Sequence, residues 1–239
     1  DKATVIGGSG FLGSHIADEL SRRGIAVTIF DHSASPWICD NQTMLVGDML
    51  DRELLQKACA GSRYLYHLGG IADISEAKAK PFKAIETNVM GVTAALEVAR
   101  AVRAERFVYA STMYVYSAAG SFYRASKQAA ETIVEAYAES FDLDYTLLRY
   151  GSLYGPRAQV WNGLRRYVRQ VVVEGRLDYE GSGILFLVFI LASLLGFIDE
   201  MQQGLYPDRF FGWKDMVINS AGSLLGVIMI KTLTIQPTR

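Results

Sequence analysis

The chain has 239 residues, half of them hydrophobic, with 24 basic against 25 acidic side chains and a formal net charge of −1. That length supports one sizeable core and leaves little room for a second full domain. The near-neutral balance, with no basic run, gives nucleic acid nothing to bind electrostatically.

Two cysteines, Cys39 and Cys59, have neither metal nor redox spacing, which predicts a reducing, cytoplasmic compartment. No signal peptide is read. The first strand begins at Ala3 without an initiator Met, so a fragment or a processed chain is expected.

In chain order, residues 3–6 form a short β-branched strand. Gly7-x-x-Gly10-x-x-Gly13 follows, overlapping a helical pattern from Phe11 to about Arg23. Such a turn leaves backbone N–H groups free at the positive end of the helix, a ready site for a pyrophosphate. Gly7 permits the tight turn, Gly10 lets the backbone approach the phosphates, and Gly13 lets helix and strand lie close. Gly7, Gly10, Phe11, Leu12 and Gly13 are the binding residues expected here. An ordinary glycine loop is the plainer alternative.

Residues 25–30 read as the second strand, ending at Asp31, 18 residues beyond Gly13. A carboxylate there accepts hydrogen bonds from adenosine ribose hydroxyls and repels a 2′-phosphate, which favours NAD over NADP. His32 beside it is not a strong cation at neutral pH. Alternatively, Asp31 merely opens a turn.

Residues 43–46 form a third strand closed by Gly47-Asp48, 52–59 a short helix, and 64–68 a buried strand leading into Gly69-Gly70. Residues 81–103 carry one long helical period with Ile85, Val89, Val92 and Leu96 near one side. A strand at 106–110, a helix at 122–141, a strand at 145–149 and a helix at 163–174 follow. The alternation predicts an α/β fold with a doubly wound parallel sheet covered on both faces.

Ser111 and Thr112 end the fifth strand, where open parallel sheets place their ligands. Satisfying local backbone groups is their simpler role. Tyr123 and Lys127, at i and i+4, share one helix face. A nearby ammonium stabilises phenolate and lowers the tyrosine pKa, so Tyr123 is a candidate acid or base for a sugar or alcohol hydroxyl. Lys127 is placed to bond a nicotinamide ribose. The alternative is an aromatic ring packed against a snorkelling lysine.

Taken together, Gly7-x-x-Gly10-x-x-Gly13, Asp31, Asp48, the 109–116 segment and Tyr123-x-x-x-Lys127 resemble the extended short-chain dehydrogenase/reductases. The branch most similar is that of the NAD-dependent epimerase/dehydratase enzymes acting on nucleotide sugars, which residues 148–157 also resemble. The resemblance covers residues 1–183 and implies a Rossmann-type sheet that binds NAD. It implies that Asp48 bonds the adenine and that residues 68–71, beginning at Leu68, flank the cofactor. Thr112 takes the substrate-hydroxyl position, with Ser111 as runner-up, and Tyr123 with Lys127 forms the catalytic pair. The implied reaction removes hydride from a sugar carbon and returns it to the other face. A homodimer through the helix carrying Tyr123 is implied as well.

Two departures stand out. Eleven residues separate Ser111 from Tyr123, so the connection over the substrate is trimmed. Met113 and Tyr114 stand where sugar 4,6-dehydratases carry an Asp-Glu pair, which argues against water elimination. Arg157 and Asn162 are weak candidates for selecting the sugar.

A composition break falls near residues 181–183. Residues 184–198 hold no charge and one polar side chain, Ser193, and residues 216–230 form a second apolar stretch. With Asp199, Glu200 and Arg209 between them, the tail resembles the C-terminal half of VanZ-like membrane proteins. Fifteen residues make a helix of roughly 22 Å, short of the ~30 Å hydrocarbon core. Expected domains are therefore 1–183, a dinucleotide-binding unit with a truncated substrate region, and 184–239, a hydrophobic helical hairpin in contact with a membrane. The join reads as a fusion replacing the end of an epimerase-like chain. Three readings follow: a nucleotide-sugar epimerase or related oxidoreductase, a non-catalytic nucleotide-binding module, and a VanZ-like membrane protein.

Overall fold

The computed structural model describes residues 1–160 and 162. The helix expected at 163–174, the break near 181–183 and the tail hairpin at 184–239 lie outside the described residues.

β1 (Lys2–Ile6) alternates its side chains between two apolar faces, and the whole sheet follows that alternation. Ala3 and Val5 share one face with Val27 and Ile29 of β2 (Ala26–Asp31), where helix α1 (Phe11–Arg22) lays Ala17 and Leu20. Ile6 and Phe30 point the other way. They join Leu65 of β4 (Tyr64–His67) and Phe107 and Tyr109 of β5 (Arg106–Thr112). That face lies under α2 (Arg52–Cys59), which contributes Leu55 and Ala58. Burying each large side chain is worth about 1.5–3 kcal/mol, and both faces of β1 are filled this way. Thr4 is also buried, its hydroxyl on the Ala58 carbonyl at 3.1 Å and the Ser62 hydroxyl at 2.8 Å.

With β3 (Gln42–Val46) and β6 (Tyr145–Tyr150), the six strands among the described residues run in the order β3-β2-β1-β4-β5-β6, every neighbouring pair parallel. The order reverses between β1 and β4. In open parallel sheets that reversal opens a crevice at the carboxyl edge.

Two elements differ from their sequence expectations. A six-residue helix α3 (Ile74–Ala79) precedes the long one, capped by the Asp73 carboxylate on the Glu76 N–H at 2.7 Å. The continuous helix expected over 81–103 is instead α4 (Pro81–Ile85), a π-helical turn (Glu86–Met90) and α5 (Gly91–Ala101). The π turn adds a residue and brings Asn88 to the buried side, which a 3.6-residue period does not encode. β5 ends on Ser111 and Thr112, as expected, and these pair with Arg149 and Tyr150 of β6. A 3₁₀ turn (Met113–Tyr116) then leads to α6 (Ser121–Phe141), which packs Ala130 and Val134 beside α5. Among the described residues, no helix is long and apolar enough to cross a membrane.

Candidate active site

The carboxyl edge of the sheet brings the loops after β1 to β5 together. Backbone bonds carry the strand register into them: Gly7 N–H to the Phe30 carbonyl, Gly47 N–H to Asp31, and Leu68 N–H to Ile6, each at 2.8 Å.

The glycine turn has the form expected. Gly7 sits at φ +81°, and a Cβ on it would strike the Gly69 backbone across the β1/β4 reversal. A Cβ on Gly13 would overlap the Gly7 carbonyl, so Gly13 fixes how closely α1 approaches its strand. Gly10 is different: an added Cβ would meet no protein atom nearer than the Gly7 oxygen at 3.3 Å. Its outer side is open. No side chain caps α1 and no acidic residue occupies its first turn, so the N–H groups at Phe11, Leu12 and Gly13 face outward without an internal anion. These features fit a diphosphate.

Asp31 is buried at the end of β2, its carboxylate accepting from Ser9 N–H at 3.0 Å and Ser33 N–H at 3.2 Å. It therefore both braces the glycine turn and closes its own loop, with His32 Nδ1 at 2.9 Å. Asp48 is exposed and accepts from Leu50 N–H at 2.9 Å. Leu68 is half-buried against the α1 face of the sheet.

Thr112 ends β5, Tyr123 and Lys127 lie one turn apart on α6, which packs against that strand, and all three are buried. The Thr112 hydroxyl accepts from Tyr114 N–H at 3.2 Å and favours the ionised form of the Tyr123 phenol. The Ser111 hydroxyl is buried with no partner among the described residues. Lys127 donates to the Ala110 carbonyl at 2.8 Å, its ammonium 4.7 Å from the centre of the Tyr109 ring.

That placement corrects the expectation that Lys127 lowers the Tyr123 pKa. Burial pushes the phenol up, the Thr112 hydroxyl opposes this, and Tyr114 pushes it further up. The lysine is engaged by the strand below, and its own pKa is lowered to about 8 by burial, against the pull of Glu131.

Asn88 is the residue the sequence reading missed. Its side-chain oxygen accepts from Ile71 N–H at 2.7 Å, and its amide donates to the Ile71 carbonyl and the Ser126 hydroxyl, both at 3.0 Å. It ties the loop after β4 to the residue preceding Lys127. A polar amide inside an apolar helical stripe was the available signal. Arg157 lies elsewhere, paired with Asp18 of α1 at 2.7 Å and stacked on Trp37. Asn162 donates to the Leu153 carbonyl at 2.8 Å. Among the described residues, no group of His, Cys, Asp or Glu is placed to hold a metal.

The NAD dependent epimerase/dehydratase family profile matches residues 3–183. UDP-glucuronic acid decarboxylase 2 of Arabidopsis thaliana is 28% identical over 214 residues, covering 76% of this chain and 46% of its own length. A UDP-N-acetyl-alpha-D-glucosaminuronate decarboxylase of Bacillus cytotoxicus is 29% identical over 66% of this chain and 56% of its own. The chain thus spans about half the length of these relatives. Among solved structures, a Thermotoga maritima UDP-glucose 4-epimerase with UDP-glucose superposes at TM-score 0.68, with 24% identity over 73% of this chain and 64% of that one. A Thermus thermophilus UDP-glucose 4-epimerase with NAD superposes at 0.66, with 28% identity over 73% and 63%.

Proposed function

This chain belongs to the NAD-dependent epimerase/dehydratase family, and on that premise we propose that it is an NAD-dependent oxidoreductase or epimerase acting on a nucleotide sugar. The observation that carries the reading is the set of three buried side chains, Thr112, Tyr123 and Lys127, at the carboxyl edge of the sheet that carries the open glycine turn, with Lys127 held on the Ala110 carbonyl. Gly7, Gly10, Phe11, Leu12 and Gly13 hold the diphosphate, Asp31 the adenosine ribose, Asp48 the adenine, and Leu68 one side of the cofactor. NAD bound along this edge supplies the acceptor, and on return the donor, of a hydride.

The protein's own groups handle the proton. As the phenolate, Tyr123 takes the hydroxyl proton while the alcohol is oxidised, and as the resulting phenol it returns that proton to the sugar carbonyl when the carbon is reduced. Thr112 orients the reacting hydroxyl and supports the phenolate, with the Ser111 hydroxyl beside it. Lys127 reaches the nicotinamide ribose. Met113 and Tyr114 offer no carboxylate pair, so redox chemistry and epimerisation are favoured over elimination.

Incubating the full chain with NAD and either UDP-glucose or UDP-glucuronic acid tests this. Sugar-dependent NADH or epimer should form, and Tyr123→Phe should abolish it while NAD still binds. Turnover that survives Tyr123→Phe would overturn the assignment.

We also propose that two copies pair along α6, where Phe122 is exposed, as are Phe82 and Met90 on the helical segments packed against α6. Sedimentation should then give a dimer. Residues 184–239, on their two apolar stretches, are proposed to contact a membrane; extraction that needs detergent for the full chain and not for residues 1–183 tests it.

A further inference from the structure

Arg149, near the end of β6, reaches two elements of the site at once. Its guanidinium grips Glu131 of α6 with Nε at 3.0 and 3.2 Å from the two carboxylate oxygens and Nη2 at 2.8 Å from one. Its Nη1 donates to the Tyr116 hydroxyl, and its plane lies 5.0 Å from the Tyr116 ring centre. Tyr116 closes the 3₁₀ turn that Thr112 caps, and Glu131 lies one helical turn beyond Lys127. A planar fork holding a carboxylate and a phenol together fixes geometry in a way a flexible ammonium does not.

We propose that Arg149 is a positioning residue of this site: by clamping Glu131 and Tyr116 it locks the helix of Tyr123 and Lys127 to the turn of Thr112. The carboxylate it holds also sets the charge of the lysine. Lys127 is buried among Tyr123 and Glu131 on its own helix, Tyr109 on β5 and His67 on β4. His67 is neutral there and Tyr109 is un-ionised, which leaves Glu131, among the described residues, as the anion supporting the ammonium. Arg149 gives that buried carboxylate three charge-assisted hydrogen bonds in place of water. In sequence, Glu131 and Arg149 are ordinary surface-type residues; the register of β6 against β5 brings them into one cluster.

The inference rests on the proposed function, and its test separates the two. Calorimetric titration of NAD into the full-length protein across pH 6–10 should show affinity falling as Lys127 loses its proton. Glu131→Gln should move that fall about one pH unit lower, a loss of roughly tenfold in affinity at pH values between the two limbs. Arg149→Lys, which keeps a cation on Glu131, should leave the limb where the wild type has it. A limb unmoved in Glu131→Gln, or moved equally in both variants, overturns the inference. Wild-type protein that binds no NAD overturns the proposed function instead. Hydrogen exchange then still reads the clamp. Tyr116→Phe, which deletes only the hydroxyl, should raise exchange across residues 113–120 by about tenfold with the rest of the chain protected as before. Unchanged exchange there means that Arg149 does not hold the turn.

Discussion

Lys127 and Tyr109 face each other across the α6–β5 interface, ammonium to ring centre 4.7 Å, with the lysine also bonded to the neighbouring Ala110 carbonyl. The protein thus buries a cation on an aromatic face before any ligand arrives. With its pKa lowered to about 8 against an ordinary 10.5, the folded state releases a proton that the unfolded state keeps. The cost of holding the charge is therefore full below about pH 8 and relieved as pH rises towards 10.5.

Lys127→Met should accordingly raise thermal stability at pH 7, by on the order of 1–3 kcal/mol, with the gain shrinking above pH 8. The same variant should abolish turnover. Melting curves at pH 7 and pH 9.5 check it, and equal gains at both would contradict the burial argument.

His67 gives the acid-side counterpart. The ring is fully buried against Phe107 and Tyr109, neither nitrogen has a partner among the described residues, and its pKa is lowered to about 3. The unfolded state binds the extra proton between pH 6.5 and about 3, so stability falls with pH through that window at up to ~1.4 kcal/mol per unit. His67→Leu should be nearly neutral at pH 7.5 and stabilising at pH 5. Denaturant unfolding at the two values measures the difference.

The glycine turn separates folding from binding. Gly13→Ala drives a methyl into the Gly7 carbonyl and should cost about 2–4 kcal/mol of stability along with cofactor affinity. Gly10→Ala meets only an atom at 3.3 Å, on a backbone with φ −73° that any residue adopts. Its stability should stay within about 1 kcal/mol of wild type while NAD affinity falls at least about tenfold as the methyl enters the phosphate path. A Gly10→Ala protein that binds NAD normally would place the diphosphate elsewhere.

Thr112 is predicted to act on the proton of Tyr123. Its hydroxyl lowers a phenol pKa that burial and Tyr114 raise, so Thr112→Val should push the phenol higher still. The rate of sugar oxidation rises with pH as Tyr123 ionises; in the variant that rise should come at higher pH, with kcat at pH 7 down about 10- to 100-fold. A pH–rate profile of the two proteins decides it.

The sheet was legible because its signals are local. β-branched runs alternate with helical periods at βαβ spacing, and Gly7, Gly10 and Gly13 mark the one turn where backbone must meet backbone. The site's charges were less so. Tyr123 and Lys127 are one turn apart in any helix, yet whether the ammonium faces the phenol depends on what β5 offers it. Here Ala110 and Tyr109 take it. Asp73 and Glu76 had the three-residue spacing of a helix start, but α3 is too short for periodicity to support it. The Glu131–Arg149 clamp needed the pairing of β5 with β6, which no local pattern contains.

Asn88 makes the last case, because its effect should reach the site through the backbone. It satisfies both the N–H and the carbonyl of Ile71 and holds Ser126, whose hydroxyl in turn donates to the Tyr123 carbonyl at 2.9 Å. A leucine of similar volume would leave those buried groups unpaired at about 1–3 kcal/mol each, partly relieved by local rearrangement. With no amide to accommodate, the π turn loses its reason to carry an extra residue, and α4 and α5 should anneal into one regular helix. Asn88→Leu should therefore lose stability by about 2–4 kcal/mol. Asn88→Asp, which keeps the acceptor for Ile71 N–H and loses both donors, should fall between. Urea unfolding of the three proteins gives the order, and a leucine variant as stable as wild type would show that the bridge between Ile71 and Ser126 does not hold this part of the site.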